Sequence, residues 1–282
     1  MEYIKVTLPS NHDLVLFGDT HTGTILQHAE GIQECKEFIM SERSRYACHM
    51  GDMAEWRMVD HPYFDPATHD KSTPEVQEDS VVEDYTPISS RLLLALEGNH
   101  EYGLQRYGNM TRKVCKRLSN TLHTVRQGGF SCVLEVHDKY GLLYKAFLTH
   151  GAGTLKSNAK DFEQRQANMK ASLKLRLQDL QGDCVIMAMG HAHRLLVVPP
   201  SERLYVTTKD GKLKQHYLGR GENEDYIDPD QRIYFCTGSF LKTFVLGASG
   251  YAERKLYKPV ELGFINIKVR DREISEYGKI VV

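Results

Sequence analysis

Five short apolar runs in this chain each stop at a polar cluster rich in glycine, aspartate and histidine, and this repeated pattern constrains the fold more than any other feature. Leu14 to Phe17 runs into Gly18-Asp19-Thr20-His21, Tyr46 to Met50 into Gly51-Asp52, and Leu92 to Leu96 into Gly98-Asn99-His100-Glu101. Leu142 to Leu148 runs into Thr149-His150-Gly151, and Cys184 to Met189 into Gly190-His191-Ala192-His193. Uninterrupted apolar runs of this length are strands of a sheet covered on both faces. In an open α/β sheet ligands collect beyond the carboxyl ends of the strands, so the five clusters are predicted to converge there. The expected class is therefore α/β.

The segments between the runs fill in the helices. Ile32, Cys35, Phe38 and Ile39 define one face of a helix over about 29–41, and a second is expected over about 104–118. From 157 to 180 the spacing of Phe162, Met169, Leu173, Leu177 and Leu180 predicts a long amphipathic helix whose outer face carries Lys160, Arg165, Lys170, Lys174 and Arg176. Those charges read as a solvated face, with contact to nucleic acid as the alternative. Thr121 to Arg126 and Ser131 to Val136, parted by Gly128-Gly129, suggest a hairpin. The polar stretch 56–90, with Pro62, Pro66, Pro74 and Pro87, is longer than a crossover needs and reads as an insertion or lid, with a short helix near 74–83. Beyond His193 come β segments at 195–198, 204–207 and 213–217, an acidic loop at 222–230, the turn Thr237-Gly238-Ser239-Phe240, and a strand at 264–269 expected to close the sheet. No repeat or linker divides the 282 residues, so a single domain over 1–282 is expected.

Thirty-six Lys and Arg balance 37 Asp and Glu, so no global field draws the chain to nucleic acid. The six cysteines are scattered without a CxxC pair, which argues against a zinc ribbon or a disulfide framework and for reduced core thiols. Neither a secretory h-region nor an apolar run near the ~18 residues of a membrane span is present, and a soluble, cytoplasmic protein is the expectation.

The clusters offer carboxylate oxygens, imidazole nitrogens and one amide oxygen: Asp19, His21, Asp52, Asn99, His150, His191 and His193. Such ligands suit Mn²⁺, Fe or Zn²⁺. Seven are too many for one ion and suit two sharing a carboxylate, an arrangement that clamps a phosphoryl group in in-line displacement.

Asp-x-His, Gly-Asp-x-x-Glu, Gly-Asn-His-Glu, His-Gly and Gly-His-x-His, in this order from Asp19 to His193, resemble the motif series of the calcineurin-like metallophosphoesterases, closest in overall look to the small enzymes of phages and bacteria. The resemblance implies a four-layer αββα fold, a two-sheet β-sandwich flanked by helices. It implies one divalent ion on Asp19, His21 and His193, another on Asn99, His150 and His191, Asp52 bridging them, and a bridging hydroxide as nucleophile. Mn²⁺ is the first choice of metal, with Fe, Zn²⁺ and Ni²⁺ also suited. His100 is implied as the general acid. Where the family has aspartate to hold that imidazole this chain has Glu55, with Glu101 a competing candidate. Where the serine/threonine protein phosphatases carry a phosphate-gripping arginine it has Trp56, a packing residue or a base-stacking platform.

The function that follows is a dinuclear phosphoesterase, first a phosphodiesterase or nuclease acting on nucleic acid or a nucleotide. The alternative is a phosphomonoesterase acting on protein, nucleotide or metabolite, for which Arg194, directly after His193, would grip the extra charge of a monoester. A non-catalytic scaffold is a third reading, disfavoured because no ligand position is lost.

Overall fold

The computed structural model describes residues 1–61, 64–71, 73–201, 204–217 and 226–282. Its elements, in chain order, are β1 (Glu2–Thr7), β2 (His12–Phe17), α1 (Ala29–Met40), β3 (Arg45–His49), α2 (Pro74–Tyr85), β4 (Leu92–Ala95), α3 (Asn99–Gly103), α4 (Met110–Leu118), β5 (Arg126–Gln127), β6 (Ser131–Asp138), β7 (Gly141–Thr149), α5 (Phe162–Leu177), β8 (Ile186–Met189), β9 (Leu195–Val198), β10 (Leu204–Lys209), β11 (Lys212–Tyr217), β12 (Ile233–Thr237), α6 (Tyr251–Arg254), β13 (Gly263–Arg270) and β14 (Glu273–Val281).

Two six-stranded mixed sheets form the centre, ordered β1-β6-β7-β8-β12-β9 and β14-β13-β2-β3-β4-β5. β2, β3 and β4 lie parallel in the second sheet, and β7 and β8 lie parallel in the first. Their facing sides bury one shared core in which Leu134, Leu148 and Ile186 of the first sheet mix with Leu14, Leu16 and Leu94 of the second. On the outer face of the second sheet Ile32 and Ile39 of α1, Val81 and Tyr85 of α2, and Val114 of α4 pack against Val15, Phe17 and Ala47. On the outer face of the first, Met169, Leu173 and Leu177 of α5 pack against Met187 and Tyr234. The layers are thus helix, sheet, sheet, helix, as expected.

α5 illustrates which force places a helix here. Each of its buried leucines contributes about 1.5–3 kcal/mol, whereas an exposed ion pair contributes about 0–1 kcal/mol, so the apolar stripe decides the docking. The helix starts at Phe162 rather than near 157, because the side chain of Asp161 accepts from the Gln164 amide and caps it there. Its basic residues are partly committed within the chain: Arg176 donates to the Ala152 and Thr154 carbonyls, Lys174 pairs with Asp230, and Arg165 donates to the Lys160 carbonyl.

Several sequence expectations are corrected. The expected hairpin around Gly128-Gly129 is a crossing between sheets: β5 extends the second sheet beside β4, while β6 pairs with β1 and β7 in the first. The hairpin turn lies instead at Asp138 to Gly141, where the Asp138 carboxylate accepts from the amides of Tyr140 and Gly141. The helix expected over 104–118 is broken before Met110, where Asn109 caps α4 by accepting from the Arg112 amide. The strand expected to close the sheet, β13, is interior, because β14 pairs along it on the outside. Glu273, Glu276 and Lys279, spread along β14, suit an edge strand and obscured it as a core element.

The stretch 56–90 divides in two. Its second half forms α2, capped by Thr73 and packed into the helical layer, while 56–61 and 64–71 run along the rim of a cleft. Pro62 and the first residues of the acidic loop, Glu222 to Asp225, lie outside the described residues. All six cysteines are buried and free. Among the described residues no helix is long and apolar enough to cross a membrane.

Candidate metal centre

The five clusters meet at one place because each follows the carboxyl end of a parallel strand. β2, β3 and β4 deliver Asp19 and His21, Asp52, and Asn99 with His100; β7 and β8 deliver His150, then His191 and His193. The backbone there is bent into an unusual region: Asp19, His21, Asp52, Trp56, His191 and His193 all have positive φ, between 47° and 61°. Non-glycine residues held so cost of order 1–3 kcal/mol each, and such strain clusters at functional sites. Gly51 (φ 98°) makes the turn into Asp52.

The sheets are stitched together at this point. The His191 amide donates to Asp19 Oδ2 at 3.0 Å, and the His150 Nδ1–H donates to the Met50 carbonyl at 2.8 Å, which leaves His150 Nε2 facing the cluster. Asp19 is fixed from its other side by the turn after β12, where the Phe240 amide and the Ser239 hydroxyl donate to its carbonyl. Sequence reasoning gave that turn no ligand role, and its contribution is to hold the Asp19 backbone. Beneath the ligands, Tyr85 donates to Thr20 Oγ1, which lies 3.1 Å from His49 Nε2. Burial holds the His49 pKa at about 3, so this imidazole is a neutral strut.

Among the described residues, three groups of side chains bring their ligand atoms within 4.8 Å: Asp19, His21 and His193; Asp52, His150 and His191; and His21, Asp52 and His100. Asn99 joins the second group, its Oδ1 standing 3.0 Å from His150 Nε2 and 2.7 Å from His191 Nδ1. Asp52 lies between the groups. Its Oδ1 accepts from the His100 amide, while Oδ2 faces His150 Nε2 at 3.4 Å and His21 Nε2 and His100 Nε2 at 3.9 Å.

This donor set fits a cation. His21 Nε2 and His193 Nε2 are 3.3 Å apart, as are His150 Nε2 and His191 Nδ1. Two nitrogens bound about 2.1 Å from one ion at tetrahedral angles stand about 3.4 Å apart. Asp19 Oδ1 is buried and makes no hydrogen bond, with His193 Nε2 3.3 Å away. In the ion-free protein burial opposes charging His150, but Asp52 and Asp19 outweigh it and raise its pKa to about 10. Burial likewise opposes ionisation of Asp52, and the neighbouring imidazoles hold its pKa well below the ordinary value. A cation on His150 must therefore displace a proton.

The two glutamates divide the supporting work between them. His100 Nδ1 hydrogen-bonds to the backbone carbonyl of Glu55 at 2.7 Å and lies 3.7 Å from its carboxylate, which also stands 3.2 Å from His21 Nδ1 and 3.2 Å from Arg57 Nε. Glu101 does not reach His100. Buried beneath the Asp52 turn, it accepts from the amides of Asp52, Met53 and Gly98 and from the indole N–H of Trp56. Trp56 is 2% exposed, so its ring is packed and has no free face for stacking. Arg194 lies half-buried in the cleft wall beside His193 with no carboxylate partner among the described residues, and burial lowers its pKa.

Glu101→Gln should therefore lower the melting temperature, since its amide group would present N–H to N–H donors. Glu55→Gln should leave folding near wild type and weaken metal affinity about 10–100-fold through His21. Thermal melts beside metal titrations check this, and the reverse order would undo the assignment.

No family model matches this sequence, and no curated protein matches it either. Among solved structures, Haemophilus influenzae NAD nucleotidase (NadN) aligns with a TM-score of 0.39 and 10% identity, over 96% of this chain and 50% of that one, so the chain spans half of that protein's length. A likeness at that score carries no functional argument.

Proposed function

We propose that this chain is a metal-dependent phosphoester hydrolase of the calcineurin-like type, a single domain with a two-ion centre, which prefers phosphodiesters. The observation that carries this reading is Asp52 Oδ2, which stands between a ligand group led by Asp19 and another led by His150. Asp19, His21 and His193 would hold one divalent ion and Asn99, His150 and His191 the other, with Asp52 serving both; Mn²⁺ is the first choice. Bound cations supply Lewis-acid stabilisation of phosphoryl oxygens and lower the pKa of water.

The chain's own contribution is orientation and proton supply. The Glu55 carbonyl takes His100 Nδ1–H, turning Nε2 toward the cluster. In the ion-free protein burial opposes the imidazolium, but the Asp52 and Glu55 carboxylates raise the His100 pKa above the ordinary histidine value; the protonated imidazole is the form that donates to a leaving oxygen. The cleft, about 1400 Å³, exceeds the roughly 300–1,000 Å³ of small-molecule sites and accommodates a diester with two large substituents. Arg194, with no carboxylate partner among the described residues, favours the second reading, a phosphomonoesterase. The six buried thiols accord with a reducing compartment, the cytoplasm.

The test is the Mn²⁺-dependent rate on a nitrophenyl diester beside its monoester, with Asp52→Asn as the blank. A faster diester rate is expected, a faster monoester rate moves the conclusion to the second reading, and no turnover with Mn²⁺, Fe²⁺, Zn²⁺ or Ni²⁺ overturns both. His100→Ala should slow turnover about 10²–10⁴-fold with metal content unchanged. Loss of metal instead would make His100 a ligand, as its grouping with His21 and Asp52 allows.

A further inference from the structure

The cleft that opens on the metal centre carries charge the centre does not use. Its acidic wall residues are matched locally: Asp60 pairs with Arg106, Asp65 with Arg254, and Glu261 with Lys279. Four cationic residues lining the same cleft, Lys156, Arg194, Lys242 and Lys258, have neither a carboxylate nor a carbonyl partner for their side chains among the described residues, whereas Arg165 is committed to the Ala159 and Lys160 carbonyls. Four such cations beside a divalent-metal centre attract a ligand with several phosphates rather than one.

The lining of the same cleft is also aromatic. Tyr251 and Tyr257 are 42% and 40% exposed, and their rings meet edge to face with centroids 6.0 Å apart. Lys156 Nζ lies 5.3 Å from the Tyr257 ring centroid, which puts a cation beside a ring face. Exposed rings interleaved with cations form the stacking platform of single-stranded nucleic-acid sites, where bases stack and phosphates pair with Lys and Arg. A duplex hides its base faces and cannot use such rings.

We propose that the substrate is single-stranded nucleic acid, bound with its scissile diester at the metal centre, unpaired bases on Tyr251 and Tyr257, and flanking phosphates on Lys156, Arg194, Lys242 and Lys258. This rests on the phosphodiesterase reading above and adds the class of polymer.

The experiment measures binding of a fluorescein-labelled 12-nucleotide single strand by anisotropy, using the full chain in EDTA so that no cleavage intervenes. An abasic strand and a duplex of the same length run beside it. Binding should weaken with salt with a log–log slope near −3, as about four phosphate contacts require on a single strand. The abasic strand and the duplex should each bind at least tenfold more weakly. Tyr251→Ala with Tyr257→Ala, both on the exposed wall, should weaken the normal strand tenfold or more while leaving the abasic strand unchanged. Equal affinity for normal and abasic strands, preference for the duplex, or a flat salt dependence overturns the proposal. If the strand is not bound while the nitrophenyl diester is still hydrolysed, this inference fails and the phosphodiesterase reading stands. If the strand is bound but no ester is hydrolysed with any metal, it is the hydrolase reading that fails.

Discussion

Asp52→Asn is expected to reduce ester hydrolysis to the rate without protein and to lower the content of both ions together. The substitution keeps the shape and removes the charge. Oδ1 accepts from the His100 amide, so the retained carbonyl oxygen stays there and the new amide NH₂ takes the place of Oδ2, facing the imidazoles of His150, His21 and His100. An NH₂ donates and cannot ligate, and the position faces both candidate groups. Thermal denaturation separates this from misfolding. In wild type, Mn²⁺ at one hundred times its dissociation constant should add about 2.7 kcal/mol of stability for each of the two proposed sites, or roughly 10–20 °C in melting temperature in all. The variant should melt normally without metal and lose most of that increment. Normal occupancy of both ions with normal turnover would remove Asp52 from its shared position.

Gly98→Ala should be the most damaging single methyl group at the site. A Cβ there would stand 2.1 Å from Asp52 Oδ1, 2.4 Å from the Asp52 backbone nitrogen and 2.8 Å from Glu101 Oε2. Gly98 itself is extended, with φ −95° and ψ −177°, so lack of space rather than backbone conformation demands glycine. The obstructing atoms are the Asp52 backbone, its Oδ1, which accepts from the His100 amide, and the Glu101 carboxylate, which is held by four donors, so none yields cheaply. Overpacking costs typically 1–3 kcal/mol, about 2–12 °C in melting temperature at this size, and Asp52 must shift with its turn. Metal affinity should therefore fall further than stability alone explains. A Gly98→Ala protein with wild-type metal content and melting temperature would show that the turn has room.

The site was legible where chemistry is local in sequence. Each of the seven metal-ligand candidates sits within a few residues of a strand end, so an apolar run followed by Asp or His was enough to place it. The supporting residues were hidden because their partners are remote: nothing near Ser239 in sequence announces the Asp19 carbonyl, and nothing near Glu101 announces the amides of Asp52 and Met53. Glu55 was read as the carboxylate holding His100; that carboxylate lies 3.7 Å from His100 Nδ1 and 3.2 Å from His21 Nδ1, while the Glu55 carbonyl makes the closer bond to His100 at 2.7 Å, a division residue type cannot carry. In the fold, periodicity found α1 and α5. It could not tell that Gly128-Gly129 joins two sheets, because a turn and a crossing use the same residues.

The candidate ligands are drawn from both sheets: Asp19, His21, Asp52 and Asn99 rise from one, His150, His191 and His193 from the other, and a single apolar core separates the two. Bond lengths to an ion tolerate errors of about 0.2 Å, so the mutual alignment of two slabs, each six strands wide, must be kept to that tolerance. The packed interior acts as the jig that sets it. Mutations in that interior far from any ligand, by letting one slab slide against the other, would detune the site before they unfolded the protein, and activity would report core damage earlier than any melting curve.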